Sequence, residues 1–384
     1  MKLSLCMIVR DEADLLDECL SSAKEYVDEI IVVDTGSKDN SINIAKKHNA
    51  KIVTFPWKDD FSAARNFSLQ QVTGDWILVL DADERIAPED LLKVRELIKN
   101  ASFQGVSLMQ YNYTKIPTTH GWVAASGPYT QGFPGYFPTR ICRLFQNKPH
   151  IRFRYAVHEL VEDSILEQGG KIVKTDIPIH HYGAVKEQQQ KHEKYLKLVL
   201  AQVAATPNNP KPCYEAGVLY IQQKKLDVAL AFFQKAAALD EGYANVHTCI
   251  GDVYMAQEKL QDAKKSYEKS ISLHNDVNAW VNLGVVYSQL GKYPDAAKHF
   301  EKALSLEPRF VQAYNNLYAL LLRTKRYVAA WRLLKVAAEK TGWEEFVKKK
   351  EMLQKKLLVT ITKELKTKPL DGGLLSARQE LLGE

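Results

Sequence analysis

The sequence predicts two architectures in tandem: an α/β domain on a mostly parallel sheet, then an all-α solenoid of short helical repeats. In the first half, short apolar runs alternate with amphipathic stretches, the pattern of strands joined by helical crossovers. In the second half, glycine, tyrosine, alanine and a large aromatic recur together every 33 or 34 residues. The 384 residues, 46% hydrophobic and 26% charged, suffice for two or three domains with a sizeable core.

The first apolar run, Leu3 to Val9, is a strand and not a signal peptide, because Arg10-Asp11-Glu12 interrupts it and no small-residue cleavage site follows. A helical pattern carries Leu15, Leu16, Cys19, Leu20 and Ala23. Glu29 to Val33 is the second strand, followed by a helix from Ser41 to His48. Lys51 to Phe55 is the third strand, before a helix from about Phe61 to Val72, and Trp76 to Leu80 is the fourth. Val106 to Tyr113, Ile141 to Phe145, Arg152 to Val157 and Ile172 to Ile179 also have strand character. Between them, Thr114 to Pro138 is rich in Gly, Pro and aromatics without a period, as expected of loops over a site. Its Trp122, Tyr129, Phe133 and Tyr136, with Phe137, offer faces for an acceptor or for a core.

The character changes near Ala184, and a helix is expected from Glu187 to Ala204. Gly217, Gly251 and Gly284 then mark three units; Tyr220, Tyr254 and Tyr287 lie three residues after them. Ala229, Ala263 and Ala296 lie twelve after, and Phe233, Tyr267 and Phe300 sixteen after. Small residues belong where two helices approach closely, and large ones fill the gaps. A degenerate fourth unit begins at Ala313, with Tyr318 in place of the glycine. Beyond Gly342, Leu353, Leu357, Ile361 and Leu365 form an i, i+4 stripe suited to capping the solenoid. The expected domains are 1–185, 186–342 and 343–384.

The formal net charge of +6 is too mild for a dedicated nucleic-acid binder. Residues 340–368 hold nine lysines against four glutamates, so most of the surplus lies in one C-terminal helix. Five cysteines without a C-x-x-C spacing argue against disulfides and structural zinc and favour the cytoplasm. No apolar run is long enough to span a bilayer. The turn after the first strand, Arg10-Asp11-Glu12-Ala13-Asp14, is acidic and has no glycine, which argues strongly against NAD or FAD, and no G-x-x-x-x-G-K-S/T occurs, which excludes a P-loop NTPase.

Ligands of open parallel sheets bind at the carboxyl ends of strands. Asp34 ends the second strand, and Asp81-Ala82-Asp83 follows the fourth, with two carboxylates able to hold a hard divalent cation beside diphosphate oxygens. The alternative is two acids in a strand-to-helix turn, with Glu84 and Pro88-Glu89 opening the next helix. Four ordered motifs go further: Ser4-Leu5-Cys6-Met7-Ile8-Val9-Arg10-Asp11-Glu12, Ile31-Val32-Val33-Asp34-Thr35-Gly36-Ser37-Lys38-Asp39, Phe61-Ser62-Ala63-Ala64-Arg65-Asn66 and Trp76-Ile77-Leu78-Val79-Leu80-Asp81-Ala82-Asp83-Glu84. With them residues 1–185 resemble glycosyltransferase family 2, inverting enzymes of the Rossmann-like GT-A fold, and the later units resemble tetratricopeptide repeats. The whole chain is similar to repeat-containing bacterial glycosyltransferases, among them peptide S-glycosyltransferases of the sublancin type.

The resemblance implies a UDP-sugar donor. Asp34 would accept from the uracil imide, or cap its own turn; Ile8 and Arg10 would pack on the base, with the Arg10 guanidinium where many relatives have an aromatic. Arg65 would face the nucleotide, or pair with Asp34 or Asp81. Asp60 would orient Arg65 or cap its helix. Asp81 would contact ribose beside Ala82, and Asp83 would bind Mn²⁺ or Mg²⁺. Arg143-Leu144-Phe145 and Val157-His158-Glu159 also match relatives; His158-Glu159-Leu160-Val161-Glu162 is not a zincin motif. Glu159 is the expected base, Asp163 the reserve, and His158 would bind acceptor or phosphate. In His180-His181-Tyr182-Gly183, His181 aligns as the metal or diphosphate ligand, with His180 as alternative; imidazole favours manganese.

The implied reaction moves a hexose or N-acetylhexosamine to a Cys, Ser or Thr side chain of a peptide docked on the repeats. Transfer to lipopolysaccharide core or another envelope glycan is the rival within enzymes, and a non-catalytic repeat scaffold the rival outside them. A homodimer through the repeats and a cytoplasmic place, peripheral to the inner membrane, complete the expectations.

Overall fold

The computed structural model describes residues 1–99, 101–117, 121–183, 189–243, 245–368 and 371–383. The chain forms two compact units, one of Met1–Thr114 with Phe137–Ala216, the other of Lys115–Tyr136 with Gly217–Glu384. The expected boundary at 185–186 lies outside the described residues.

In the first unit the order is β1 (Leu3–Val9), α1 (Ala13–Ala23), β2 (Glu29–Asp34), α2 (Ser41–Lys47), β3 (Lys51–Thr54), α3 (Phe61–Leu69) and β4 (Trp76–Val79). Then come β5 (Glu84–Arg85), α4 (Pro88–Lys99) and β6 (Gly105–Thr114); after β7 (Val123–Ala124) of the second unit, the first resumes along β8 (Gly135–Gln146), α5 (Glu162–Leu166), β9 (Ile172–His181) and α6 (Gln189–Ala205). The sheet order is β3-β2-β1-β4-β8-β6-β9-β5. β1 runs parallel to β2 and β4, and β2 to β3, as crossover helices require. The other half of the sheet mixes directions, within the expected α/β fold. β8 is antiparallel to β4 and β5 to β9, whereas β9 is parallel to β6. β8 is entered from a segment without an α-helix, so nothing forces a parallel return.

Both faces of β1 are buried, which explains its unbroken apolar run. Leu3, Leu5, Met7 and Val9 pack with Leu16 and Leu20 of α1 and Leu91 and Val94 of α4. Cys6 points the other way, into a cluster with Ile31, Val33, Val79 and Leu69 of α3. Arg152 to Val157, expected as a strand, is a turn closed by the isolated bridge of Arg154 to Leu160. Asn66 explains the difference: its side chain takes both backbone bonds of Phe153, at 2.8 and 2.9 Å, so no neighbouring strand is needed. Glu84, expected to open a helix, sits in β5; the helix begins at Pro88.

α7 (Pro210–Gln222) leads into α8 (Leu226–Leu239), α9 (Val246–Ala256), α10 (Leu260–His274), α11 (Val277–Gln289), α12 (Tyr293–Leu306), α13 (Val311–Arg323), α14 (Tyr327–Thr341), α15 (Glu344–Leu365) and α16 (Gly372–Leu382). The sixteen-residue spacing is a physical contact. A Cβ on Gly217, Gly251 or Gly284 would lie 2.6, 2.5 or 2.6 Å from the ring of Phe233, Tyr267 or Phe300. Leu353, Leu357 and Ile361 of α15 join the core of the last repeats, as the stripe predicted. Trp122 lies in that same core, edge-on to Trp343 at 5.3 Å, and at 2% exposure presents no face to an acceptor.

Gly251→Ala tests this packing. Tyr267 is buried and its hydroxyl is held by Asp252 at 2.8 Å, so the ring has little room to yield. Overpacking of ~1–3 kcal/mol outweighs a helix-propensity gain of ~1 kcal/mol. Thermal unfolding of the full chain is expected to show a lower midpoint for the repeat unit; an unchanged or higher midpoint contradicts the contact.

Candidate functional site

β4 ends at Val79, and buried Leu80 follows it and delivers Asp81 to the carboxyl edge of the sheet. Arg65 of α3 donates from Nη2 to Asp81 Oδ1 at 2.7 Å, and Arg143 of β8 from Nη2 to Oδ2 at 2.5 Å. Burial opposes the Asp81 charge, yet Arg143 and Arg65 hold its carboxyl well below the usual carboxylate range. Arg65 also donates from Nε to Glu159 Oε1 and lies under the Phe153 ring, 5.6 Å from its centroid. Glu84, fully buried, accepts from the Asp81 amide at 2.8 Å and from Gln110 at 2.5 Å, with Arg143 3.3 Å away. Burial and the Asp81 charge push the Glu84 carboxyl up, against the pull of Arg143.

Asp83 is the other half of the D-x-D pair and faces a different partner. Its Oδ2 lies 3.5 Å from His181 Nε2, and both side chains are about a quarter exposed, at 26% and 27%. The Asp83 carbonyl accepts from the Tyr182 amide at 2.9 Å, while the β5–β9 pairing puts Glu84 opposite His181. His181 Nδ1 is paired with Asn112 Oδ1 at 2.7 Å, which turns Nε2 toward Asp83. Gly183 leaves the space open: a Cβ there would sit 2.6 Å from His181 Nε2 and 2.9 Å from Asp83 Oδ2. His180 is built inward instead, bonded to the Tyr113 hydroxyl at 2.9 Å and stacked on its ring; burial pushes its imidazole down to about 4.

The model of glycosyl transferase family 2 matches residues 4–158, and tetratricopeptide repeat models match 210–243, 244–276 and 277–310. A TPR repeat-containing protein of Synechococcus elongatus is 34% identical over 302 residues, covering 73% of this chain and 70% of its own. The chain carries a glycosyl transferase family 2 domain followed by tetratricopeptide repeats. The prophage-derived glycosyltransferase SunS of Bacillus subtilis is 28% identical over 155 residues, so this chain spans only 33% of its length. An uncharacterized glycosyltransferase of Rickettsia felis is 27% identical over 194 residues, 49% of this chain and 64% of its own. The solved structure of MamA, 23% identical, covers 41% of this chain and 93% of its own at a TM-score of 0.37.

In the family 2 domain and the residues that follow it the structure joins Arg65, Asp81 and Glu159 directly, and Asp83 with His181, with buried Ala82 between the two groups. Ile8 on β1, Arg10 just after it and Asp34 at the end of β2 share no hydrogen bond with that cluster among the described residues. Ile8 is in register with Val33, and Val9 with Asp34. Asp34 closes its own turn, accepting from Ser37 at 3.0 Å and Gly36 at 3.3 Å. Arg10 is exposed, 4.0 Å from Asp11. Asp60 caps α3 through the Ala63 amide at 2.9 Å, so the orienting of Arg65 falls to Asp81 and Glu159. His158 stacks on Tyr195, and Asp163 accepts from the Tyr155 hydroxyl at 2.5 Å. Sequence reasoning gave no role to Arg143, Glu84, Asn112 or Tyr195. Arg143 had a signal, a guanidinium between Cys142 and Leu144 of an apolar strand, which demands a buried anion.

Proposed function

We propose that the chain is an inverting, metal-dependent transferase that moves a hexose or N-acetylhexosamine from a UDP-sugar to a Cys, Ser or Thr side chain of a polypeptide. The split of the D-x-D pair carries this reading. Asp81 has both carboxylate oxygens paired with arginines, whereas Asp83, equally accessible, has only an imidazole nitrogen 3.5 Å away. Asp83 and His181 suit Mn²⁺ better than Mg²⁺, since a nitrogen ligand favours the softer ion. Among the described residues no third His, Cys, Asp or Glu joins them. The set therefore fits an ion completed by diphosphate oxygens and water. When bound, the metal would neutralise the departing diphosphate. Arg65 Nη1 and Arg143 Nε, buried without hydrogen-bond partners among the described residues, are further donors in an anion-binding region.

The acceptor oxygen or sulfur attacks the anomeric carbon as the bond to the β-phosphate oxygen breaks, and UDP departs with that electron pair. The acceptor proton passes to Glu159, which Arg65 holds beside Asp81; Asp163, tied to Tyr155, is not so placed. Asp34 and Ile8 receive the uracil on the neighbouring strands. The repeats dock the acceptor polypeptide. The five cysteines, none in a C-x-x-C spacing, support a cytoplasmic setting, and no helix among the described residues is long and apolar enough to cross a membrane.

Asp83→Ala is expected to abolish Mn²⁺-dependent UDP-sugar hydrolysis with circular dichroism and thermal midpoint unchanged; undiminished hydrolysis removes the assignment. Glu159→Gln keeps an oxygen for Arg65, so UDP binding by calorimetry should change less than about threefold. Transfer to a hydroxyl acceptor should fall ~10²–10⁴-fold. A thiol acceptor, with a pKa of ~8.5, should suffer less. Full transfer to both acceptors discards Glu159 as the base.

A further inference from the structure

The turn that presents Glu159 is poorly supported by its own sequence. Residues 155–159 lie between Arg154 and Leu160, whose backbones exchange bonds of 2.9 and 3.1 Å. Within it Tyr155 (φ 72°) and His158 (φ 51°) adopt left-handed backbone, which residues with a Cβ avoid. Such geometry persists only where surrounding groups over-determine it.

Those groups come from two helices that follow the sheet in the chain. Gln202 of α6, with its amide oxygen facing the turn, accepts from Ala156 N at 2.5 Å and Val157 N at 3.1 Å. Asn209, just before α7, donates to the Tyr155 hydroxyl at 2.9 Å. Lys211 of α7 donates from Nζ to the His158 carbonyl at 2.9 Å, pairs with Glu215 and lies 4.7 Å from the centroid of the Tyr155 ring. Tyr195 of α6 stacks on His158 with centroids 6.4 Å apart. Lys211 and Gln202 are themselves buried, at 7% and 8% exposure. A buried ammonium bonded to a main-chain carbonyl is a costly arrangement unless it is fully partnered, and here it is. From the other side the Phe61 amide donates to the Ala156 carbonyl at 2.9 Å.

We propose that Lys211, Asn209 and Gln202 are positioning residues of the transfer site, setting the turn that aims Glu159 at Arg65 and the reacting atoms. The proposal rests on the role given to Glu159 above. It assigns part of the first tetratricopeptide match, which starts at residue 210, to catalysis and not to acceptor docking. Lys211 and Glu215 accordingly belong to the compact unit that contains the sheet.

The test uses the full chain and compares wild type with Lys211→Met and Lys211→Arg. Amide hydrogen exchange of the 154–161 segment is read by mass spectrometry, beside kcat and donor KM for UDP-sugar transfer. Lys211→Met is expected to speed exchange in that segment about tenfold or more. It should lower kcat ~10–100-fold, as a misplacement of about 1 Å does, with donor KM within about twofold. Lys211→Arg should restore both, and Asn209→Ala, a milder change, should move exchange and kcat in the same direction as Lys211→Met. Wild-type exchange in Lys211→Met overturns the proposal, as does a loss of activity that only follows the unfolded fraction. A wild-type chain that turns over no sugar nucleotide overturns the transferase reading instead, and the exchange comparison still decides whether Lys211 sets the turn.

Discussion

Asp81 holds a negative charge at the carboxyl end of β4, about a third exposed and next to the fully buried Glu84, and the two carboxylates alone would repel each other. Two guanidinium groups prevent this, one from α3 and one from β8. They reach it from opposite sides in the sheet order, because β4 lies between β1, over which α3 packs, and β8. The pairing thus ties the parallel half of the sheet to the mixed half at a single atom group. It also fixes Arg65 firmly enough to hold Glu159 with its remaining Nε donor. Arg65 and Arg143 are buried, so removing Asp81 would take one carboxylate partner from each, leaving Glu159 to the first and Glu84 to the second.

A division of labour follows for the D-x-D pair. Neighbouring acids in an extended segment look equivalent, but their environments drive them apart. Asp81 has both oxygens paired with guanidinium groups, while Asp83 has an imidazole neighbour at 3.5 Å. The lack of a side chain at Gly183 preserves room for a ligand at that point, and Asn112 sets which His181 nitrogen faces it. His180, one residue earlier, alternates to the other side of β9 and becomes core.

Most elements were legible because their signals are local. The apolar runs of β1 to β4 and the sixteen-residue glycine–aromatic spacing each depend on one strand or one helix pair. The sheet's second half was less so, since β8 and β5 pair with strands distant in sequence and run antiparallel to them. Arg152 to Val157 has strand composition, yet its backbone is satisfied by Asn66, distant by 87 residues. The site shows the same limit. Arg65, Asp81 and Glu159 each stood out singly, but Arg65 reaches Glu159 across 94 positions, and no spacing rule reports that. Lys211 is the extreme case, one lysine among 52 Lys and Arg residues, distinguished only by burial against a strained turn.

The central claim is that a saturated Asp81 cluster positions an open Asp83–His181 pair for a metal–diphosphate complex. A crystal structure of the full chain with UDP and Mn²⁺, with anomalous scattering used to locate manganese, addresses it most directly. The account predicts an anomalous peak bound by both Asp83 and His181, with Asp81 still held by Arg65 and Arg143. Manganese bound away from Asp83, or Asp81 released from both arginines to ligate it, would contradict the account.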